Sequence, residues 1–217
     1  TDFYDRADDV YSAVQYLRTR KDIQADQIGL IGHSQGGWIV QLTAAQHSKD
    51  ITFIINLAGP SVSVKEQIIH DYIGQWKAEG LTEEEIKRKA DRLNTILNAF
   101  GLFSRIIKTG HLSRIINYDP ENIIPHLQVP VFSIYEEKDD LVPPGPNSEK
   151  LIEGLEKGGN KHYEIHIVPN AEHEFNIFGH KEKIAPEFLE VLDRLSIWFE
   201  QNVSHWDIRK GEDRREA

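Results

Sequence analysis

The sequence predicts an α/β protein built on a mostly parallel sheet. Two observations carry that expectation. A continuous apolar run, "ITFIINL" at 51–57, suits a strand covered on both faces, as in parallel sheets. Further strand-like segments alternate with amphipathic helical ones, the pattern of strand–helix–strand units.

The elements follow in chain order. Residues 6–20 place Val10, Tyr11, Val14 and Leu17 at helical spacing, with charge on the other face. "QIGLIG" at 27–32 reads as a strand. Residues 37–47 read as a helix through Ile39, Val40, Leu42 and Ala45, and the run at 51–57 follows. From 64 to 127 the pattern is helical throughout. Ile68, Ile69, Tyr72, Ile73 and Trp76 form one stripe. Thr82 with Glu85 forms a capping box, since hydroxyl and carboxylate satisfy each other's free backbone donors. Ile86, Ala90, Leu93, Leu97 and Phe100 continue at helical spacing, and Gly101 is placed to stop that helix. Asp119-Pro120 reads as N-cap and first position of a short helix. Strands at 129–135 and 162–168 flank a helix at 148–155 that ends near Gly158 and Gly159. The last helix, 186–201, carries Phe188, Val191, Leu192, Leu195 and Trp198 on one stripe. The expected organisation is a core of 1–63 and 128–206, a helical cap insertion at 64–127, and a tail at 207–217 too charged to order itself.

Composition narrows the function classes. The 217 residues suffice for one domain with a substantial core, and the formal net charge is −10. Both nucleic acid and anionic membrane surfaces are polyanions, so neither is an expected partner. No apolar run approaches the ~20 residues needed to span a bilayer. The chain has no cysteine, which removes disulfides, thiolate metal sites and a cysteine nucleophile. It also has no methionine, for which there is no physical account. None of this sets a localisation.

The chemistry begins at "LIGHSQGGWIV", 30–40, where a strand runs into a serine between glycines and then into a helix. That layout holds a nucleophile in a strained turn. Small neighbours at Gly32 and Gly36 suit the sharp turn, and Gly37 lets the helix approach the sheet. The first turn of the helix aims N–H groups and a positive dipole end at the serine, which suits an oxyanion. Ser34 needs a base, because a free hydroxyl is a poor nucleophile. Among ten histidines, His173 in "VPNAEHEF" lies just past a strand, where a loop side chain can reach over the sheet edge. His180 is the reserve. His166 lies within a strand and reads as structural, and His33 abuts the serine too closely to swing round to it. No HExxH pattern supports a metal site. The imidazole needs a carboxylate, and "YEEKDDLVPP" offers Glu136, Glu137, Asp139 and Asp140 at a strand end.

Nucleophile first, acid next and histidine last is the α/β-hydrolase order. The sequence resembles the C-terminal portion of a bacterial serine α/β-hydrolase of the esterase or dienelactone-hydrolase kind. The resemblance rests on "ADDVYSAVQYL", "IGLIGHSQGGWI", "LAGPSVS", "YDPENIIPHLQVPVFSIYEEKDDLVPP" and "PNAEHEF". It implies a catalytic triad of Ser34, Asp139 and His173. The family's G-x-x-D-x-x-V-P pattern falls on Glu136, Asp139, Val142 and Pro143, which favours Asp139 over Asp140, with Glu136 where the family has glycine. The backbone N–H of Gln35 is the implied oxyanion donor.

The resemblance further implies a serine hydrolase cleaving small-molecule carboxylic esters through an acyl-enzyme, without organic cofactor or metal. A peptidase or a C–C hydrolase uses the same triad, and a non-catalytic hydrolase-like half is the rival from another class. Trp38, Trp76, Phe100 and Phe103 are the aromatic side chains available to line an apolar acyl site, and each equally suits plain core. In that family about half the sheet, a helix and the loop donating a second oxyanion N–H precede the first helix seen here. The strand at 27–32 is therefore expected to be a sheet edge, met by a homo-oligomer partner or a complementary N-terminal fragment.

Overall fold

The computed structural model describes residues 1–203. The tail expected at 207–217 lies outside the described residues. Helix α1 (Phe3–Arg18) starts three residues before the apolar spacing suggested, because Asp2 and Asp5 form a reciprocal capping box. Strand β1 (Leu30–His33) is shorter than expected at its start and runs one residue further. Helix α2 (Gln35–Gln46) begins immediately after Ser34, two residues earlier than expected. Strand β2 (Ile54–Leu57) keeps only the second half of the 51–57 run.

Helices occupy the next stretch, with no strand among the described residues from 64 to 127. They are α3 (Val64–Ala78), α4 (Glu83–Ser104), α5 (Gly110–Ile115) and two 3₁₀ turns at Pro120–Asn122 and Ile124–His126. The Thr82–Glu85 capping box forms, and Asp119 caps its short turn by accepting from the Glu121 N–H. Gly101 does not stop α4. It is buried inside the helix, where a Cβ would lie 2.7 Å from Asn117 Oδ1, and its carbonyl accepts from Asn117 Nδ2 at 2.9 Å. The glycine is there for close approach.

Strand β3 (Val131–Glu136), helix α6 (Pro144–Lys157) and strand β4 (Tyr163–Val168) restore the alternation. Helix α6 starts four residues before its expected position because Pro144 fits the first turn, where no N–H is needed. A small antiparallel pair, β5 (Asn176–Ile177) and β6 (His180–Ile184), was not foreseen. Its polar sequence carries no period-two apolar signal. Helix α7 (Pro186–Asn202) closes the described chain.

The main sheet is four parallel strands in the order β1-β2-β3-β4. Ile54 pairs with Val131, and both turn to the face covered by α2 and α6 with Val40, Ala44, Leu151 and Leu155. Ile55 pairs with Phe132, and both turn to the face covered by α7 through Trp198. Double coverage explains why β3 is buried at every position. A third apolar cluster joins Phe3 and Ala7 of α1 and Trp38 and Leu42 of α2 to Val64, Leu97, Ile115, Ile116 and Tyr118. The helical stretch is thus packed onto α1 and α2. Strand β1 is an edge among the described residues, and its Ile31 is 64% exposed. Helix α1 packs on α2. Among the described residues, no helix is long and apolar enough to cross a membrane.

One steric constraint sets the position of α2. A Cβ on Gly37 would lie 2.3 Å from Asn56 Oδ1 and 2.4 Å from Gly59 Cα, and one on Gly32 would lie 2.3 Å from the Gly36 carbonyl oxygen. A Cβ on Gly36 would meet nothing within 4 Å, so the turn itself does not demand glycine there. We therefore expect Gly32→Ala and Gly37→Ala to lower stability by about 1–3 kcal/mol or more, the cost of overpacking, and Gly36→Ala to be near neutral. Thermal melts of the three variants check this, and equal destabilisation by all three would contradict it.

Candidate active site

Ser34 sits between β1 and α2 with φ 52° and ψ −125°. Positive φ is costly for a residue with a side chain, on the order of 1–3 kcal/mol, and persists only when its surroundings enforce it. Here the Ser34 N–H donates to the Leu57 carbonyl at 2.9 Å, and the Gly37 N–H donates back to the Ser34 carbonyl at 2.8 Å. The turn lifts Oγ above the C-terminal ends of the strands. Gln35, as the first helical residue, has no intrahelical acceptor for its N–H. Its side-chain Oε1 accepts from the Arg6 guanidinium of α1, which holds the start of α2 against the N-terminal helix.

His173 lies in a tight turn between β4 and β5. The Glu172 N–H donates to the Asn176 carbonyl at 2.9 Å and the Phe175 N–H to the Glu172 carbonyl at 2.8 Å. Its imidazole Nδ1 is 2.7 Å from Asp139 Oδ2, and its Nε2 is 2.9 Å from Ser34 Oγ. With the Nδ1 proton directed at Asp139, Nε2 is the acceptor for the serine hydroxyl. The Asp139 side chain is fully buried, and its other oxygen accepts from the Leu141 and Val142 N–H groups, each at 2.8 Å. Three donors thus converge on one carboxylate, which fixes its orientation.

The structure therefore brings together the three residues singled out from the sequence. Asp140 is exposed and lies beside Gly74 of α3. His180, the reserve base, is exposed on β6. His166 lies 2.8 Å from Glu164 within β4 and stacks on Phe132. Among the four aromatic residues considered for an acyl site, Trp38 is core. It is 4% exposed, packs against Phe3 and Tyr118, and donates to the Val62 carbonyl at 3.0 Å. Phe100 packs against the same apolar cluster. Trp76 pairs with Tyr72 and carries Lys89 over its ring, and Phe103 is exposed at the end of α4. Among the described residues, no group of His, Asp and Glu side chains is set to hold a metal ion.

Two supporting residues were not legible as such. His33, dismissed as a base, has Nε2 3.1 Å from the His173 carbonyl oxygen and so ties the histidine turn to β1. Asn147 accepts from the Ser61 N–H at 2.8 Å and donates to the Pro143 carbonyl at 2.9 Å, joining the loop after β2 to the acid loop. Neither residue type nor spacing marks these bonds in the sequence.

A parallel sheet, a strained serine at a strand-to-helix turn and an ordered Ser–Asp–His chain define the α/β-hydrolase fold of the serine hydrolase superfamily. More narrowly, the chain belongs to the prolyl oligopeptidase family, whose model matches residues 4–204. No curated protein matches it. Among solved structures it is similar to an esterase of Pyrococcus furiosus, at 18% identity and a TM-score of 0.56, covering 90% of this chain and 61% of that one. It is also similar to a puromycin-hydrolysing peptidase of Mycobacterium tuberculosis, at 18% identity and a TM-score of 0.58, covering 91% of this chain and 25% of that one. A Klebsiella pneumoniae protein assigned as a dienelactone hydrolase matches at 19% identity and a TM-score of 0.56. The chain covers 60% of that Klebsiella protein's length.

A second carboxyl lies near the hydrogen-bonded Ser34, His173 and Asp139. Glu136, where the resembling family has glycine, is fully buried at the end of β3, and neither of its oxygens has a hydrogen-bond partner. Burial and, next, the Asp139 charge push it up to about 10, so it is neutral in the folded protein at ordinary pH. The unfolded carboxyl ionises near 4.5. Between these values the folded chain holds a proton that the unfolded chain has lost, so stability falls as pH rises, by about 1.4 kcal/mol per pH unit from this group. Glu136→Gln keeps the volume and removes the titration. Its stability relative to wild type should therefore rise on the order of 3–4 kcal/mol between about pH 6 and about pH 9. Urea denaturation at the two pH values measures this, and a constant difference would show that Glu136 is ionised in the folded chain.

Proposed function

We propose that this chain carries the nucleophile, base and acid of a serine hydrolase that cleaves carboxylic esters through an acyl-enzyme. The single observation behind the reading is the continuous hydrogen-bonded chain Ser34 Oγ, His173 and Asp139, at 2.9 and 2.7 Å. Ser34 Oγ attacks the carbonyl carbon as its proton passes to His173 Nε2. The tetrahedral oxyanion takes the Gln35 N–H and the positive end of α2. The carbon–oxygen bond of the ester then breaks, and Nε2 returns the proton to the departing alcohol. Water attacks the acyl carbon with the imidazole again taking a proton, and Ser34 leaves with that proton restored. Asp139 orients the imidazole and stabilises its cation.

A second reading, a serine peptidase, is favoured by the family model itself. It uses the same triad and differs in the leaving group, an amine that departs only when protonated. The rival in which the chain is non-catalytic until paired with further sequence separates from both by a covalent serine probe. Labelling confined to Ser34 supports an enzyme, and no labelling of folded chain supports the rival.

Ser34→Ala should reduce turnover of an aryl ester by more than about a thousandfold while the melt stays cooperative. Asp139→Asn should lower kcat far more than Asp140→Asn, because an amide disfavours the reactive imidazole tautomer. The reverse ranking of the two asparagine variants would transfer the acid role to Asp140.

A further inference from the structure

Among the described residues the main sheet has two edges, β1 and β4. Strand β4 is the longer, six residues against four. Its sheet partner is β3, in parallel. The Val131 N–H donates to the His162 carbonyl and the Glu137 N–H to the Val168 carbonyl, each at 2.9 Å. Even-numbered residues of β4 therefore direct their backbone groups at β3. By the alternation of a parallel ladder, Tyr163, Ile165 and Ile167 direct theirs outward. Native edges are blunted by lysine, proline, bulges or cover. From Tyr163 to Val168 there is no lysine and no proline, and the register with β3 is unbroken. Ile167 is 48% exposed.

This edge is complementary to itself. A second copy laid antiparallel about a two-fold axis through Ile165 sets Ile165 opposite Ile165, Tyr163 opposite Ile167, and Glu164 opposite His166. The outward residues then form the hydrogen-bonded pairs, each exchanging both backbone bonds. Glu164 and His166 fall at the intervening positions, where opposed side chains lie closest. A carboxylate opposite an imidazole is favourable there, and a carboxylate opposite a carboxylate is not. Moving the axis to Glu164 sets that carboxylate against itself. Moving it to His166 sets Glu164 opposite Val168, with no polar partner across the seam. Charge thus selects the Ile165 register. Both faces agree with it. On the α7 face, His166 stacks on Phe132, and Glu164 Oε1 lies 2.8 Å from His166 Nε2 and accepts from Arg194 Nε at 2.6 Å. The axis brings two such Glu–His pairs together with the groups alternating. On the other face, Tyr163 and Ile165 pack on the cluster of α2 and α6. Tyr163 also lines a hollow of about 430 Å³ with Glu156, Gly159, Asn160 and Lys161, and Ile167 of the second copy stands against that ring.

We propose that the chain forms an isologous dimer through β4, two copies pairing antiparallel about Ile165 so that their main sheets become one. The occupant of this edge is a second copy because the edge matches its own sequence in reverse. The two sets of strands point in opposite directions. Ser34 follows the C-terminal end of β1, so the two sites open away from each other and neither blocks the other. The turn that holds His173 comes directly after β4, and the pairing therefore anchors the strand on which that turn is mounted.

The chain has no cysteine, so introduced thiols report the pairing without background. Ile165→Cys should oxidise to a disulfide-linked dimer, because hydrogen-bonded antiparallel pairs hold Cα atoms about 5.5 Å apart, inside the disulfide range. Tyr163→Cys alone should not link, since its two copies lie more than about 13 Å apart along the strands. Tyr163→Cys mixed with Ile167→Cys should link one chain to the other. Absence of linking in folded Ile165→Cys, or linking of Tyr163→Cys to itself, overturns the proposal. Wild type should sediment as a dimer and Ile167→Lys as a monomer with a cooperative melt. A wild type that is monomeric at every concentration tested, or a folded Ile167→Lys that associates as wild type does, also overturns it. So does dissociation by Ile31→Lys in place of Ile167→Lys, which would put the contact at β1. Should Ile167→Lys fail to fold, the three cysteine experiments decide.

Discussion

The contact between Gly37 of α2 and the Asn56–Gly59 turn after β2 is the constraint on which the site depends. Two backbones meet there at a distance that excludes even a methyl group. With β1 ending at His33 and α2 starting at Gln35, the chain has only Ser34 in which to reverse direction, and Ser34 takes positive φ. Asn56 Nδ2 reinforces the contact by donating to the Gly59 carbonyl at 3.1 Å and to Ser133 Oγ of β3 at 2.9 Å. The nucleophile's strain and the axis of the helix behind it thus follow from one close approach. The rest of the core, with α2 buried along its length from Gly37 to Ala44, holds that approach in place.

Electrostatics divides the carboxyls around the site by the number of donors each receives. Asp139 receives three, which hold it in place beside His173. Glu136, three residues earlier and equally buried, receives none and keeps its proton. Burial first and the neighbouring Asp139 charge next hold the proton on Glu136. The residue between strand and acid loop can therefore be a glutamate rather than a glycine without displacing the acid. The loop's own hydrogen bonds, with Glu137 N–H on the Val168 carbonyl and Lys138 N–H on the Ala171 carbonyl, fix its path independently of that side chain.

The strands of the main sheet and the turn that carries Ser34 were legible because they rest on local patterns. An apolar run bounded by turns marks β2, and a serine among glycines between strand and helix marks the elbow. What was not legible rests on contacts between distant segments. Gly101 looked like a stop signal because glycine is a poor helix former, yet Asn117, sixteen residues on, makes it a packing position. Trp38 looked available for a pocket because aromatic residues line pockets, yet Phe3 and Tyr118 enclose it. Helix boundaries moved for a similar reason: capping by Asp2 and the first-turn preference of Pro144 extend α1 and α6 beyond their apolar stripes. The hairpin of β5 and β6 has hydrogen bonds but no apolar alternation, so no periodicity could reveal it.

Helix α3 shows how such unreadable contacts bear on chemistry. Its apolar residues Ile68 and Ile69 pack toward the cluster shared with α1 and α2, as their spacing foretold. Its polar residues Gln67, His70 and Asp71 occupy the adjoining stripe, which spacing alone would assign to solvent. The fold instead presses that stripe onto the loop from Asp139 to Val142, and buried polar atoms without partners are the result. Part of the polar surface of this helix is therefore covered, while Glu66, Gln75 and Lys77 stay exposed. Covering polar atoms without satisfying them is unfavourable for folding alone, by about 1–3 kcal/mol for each. The unsatisfied atoms of Gln67, His70 and Asp71 fall within about one and a half turns of α3, so the cost is concentrated where that helix meets the loop carrying Asp139.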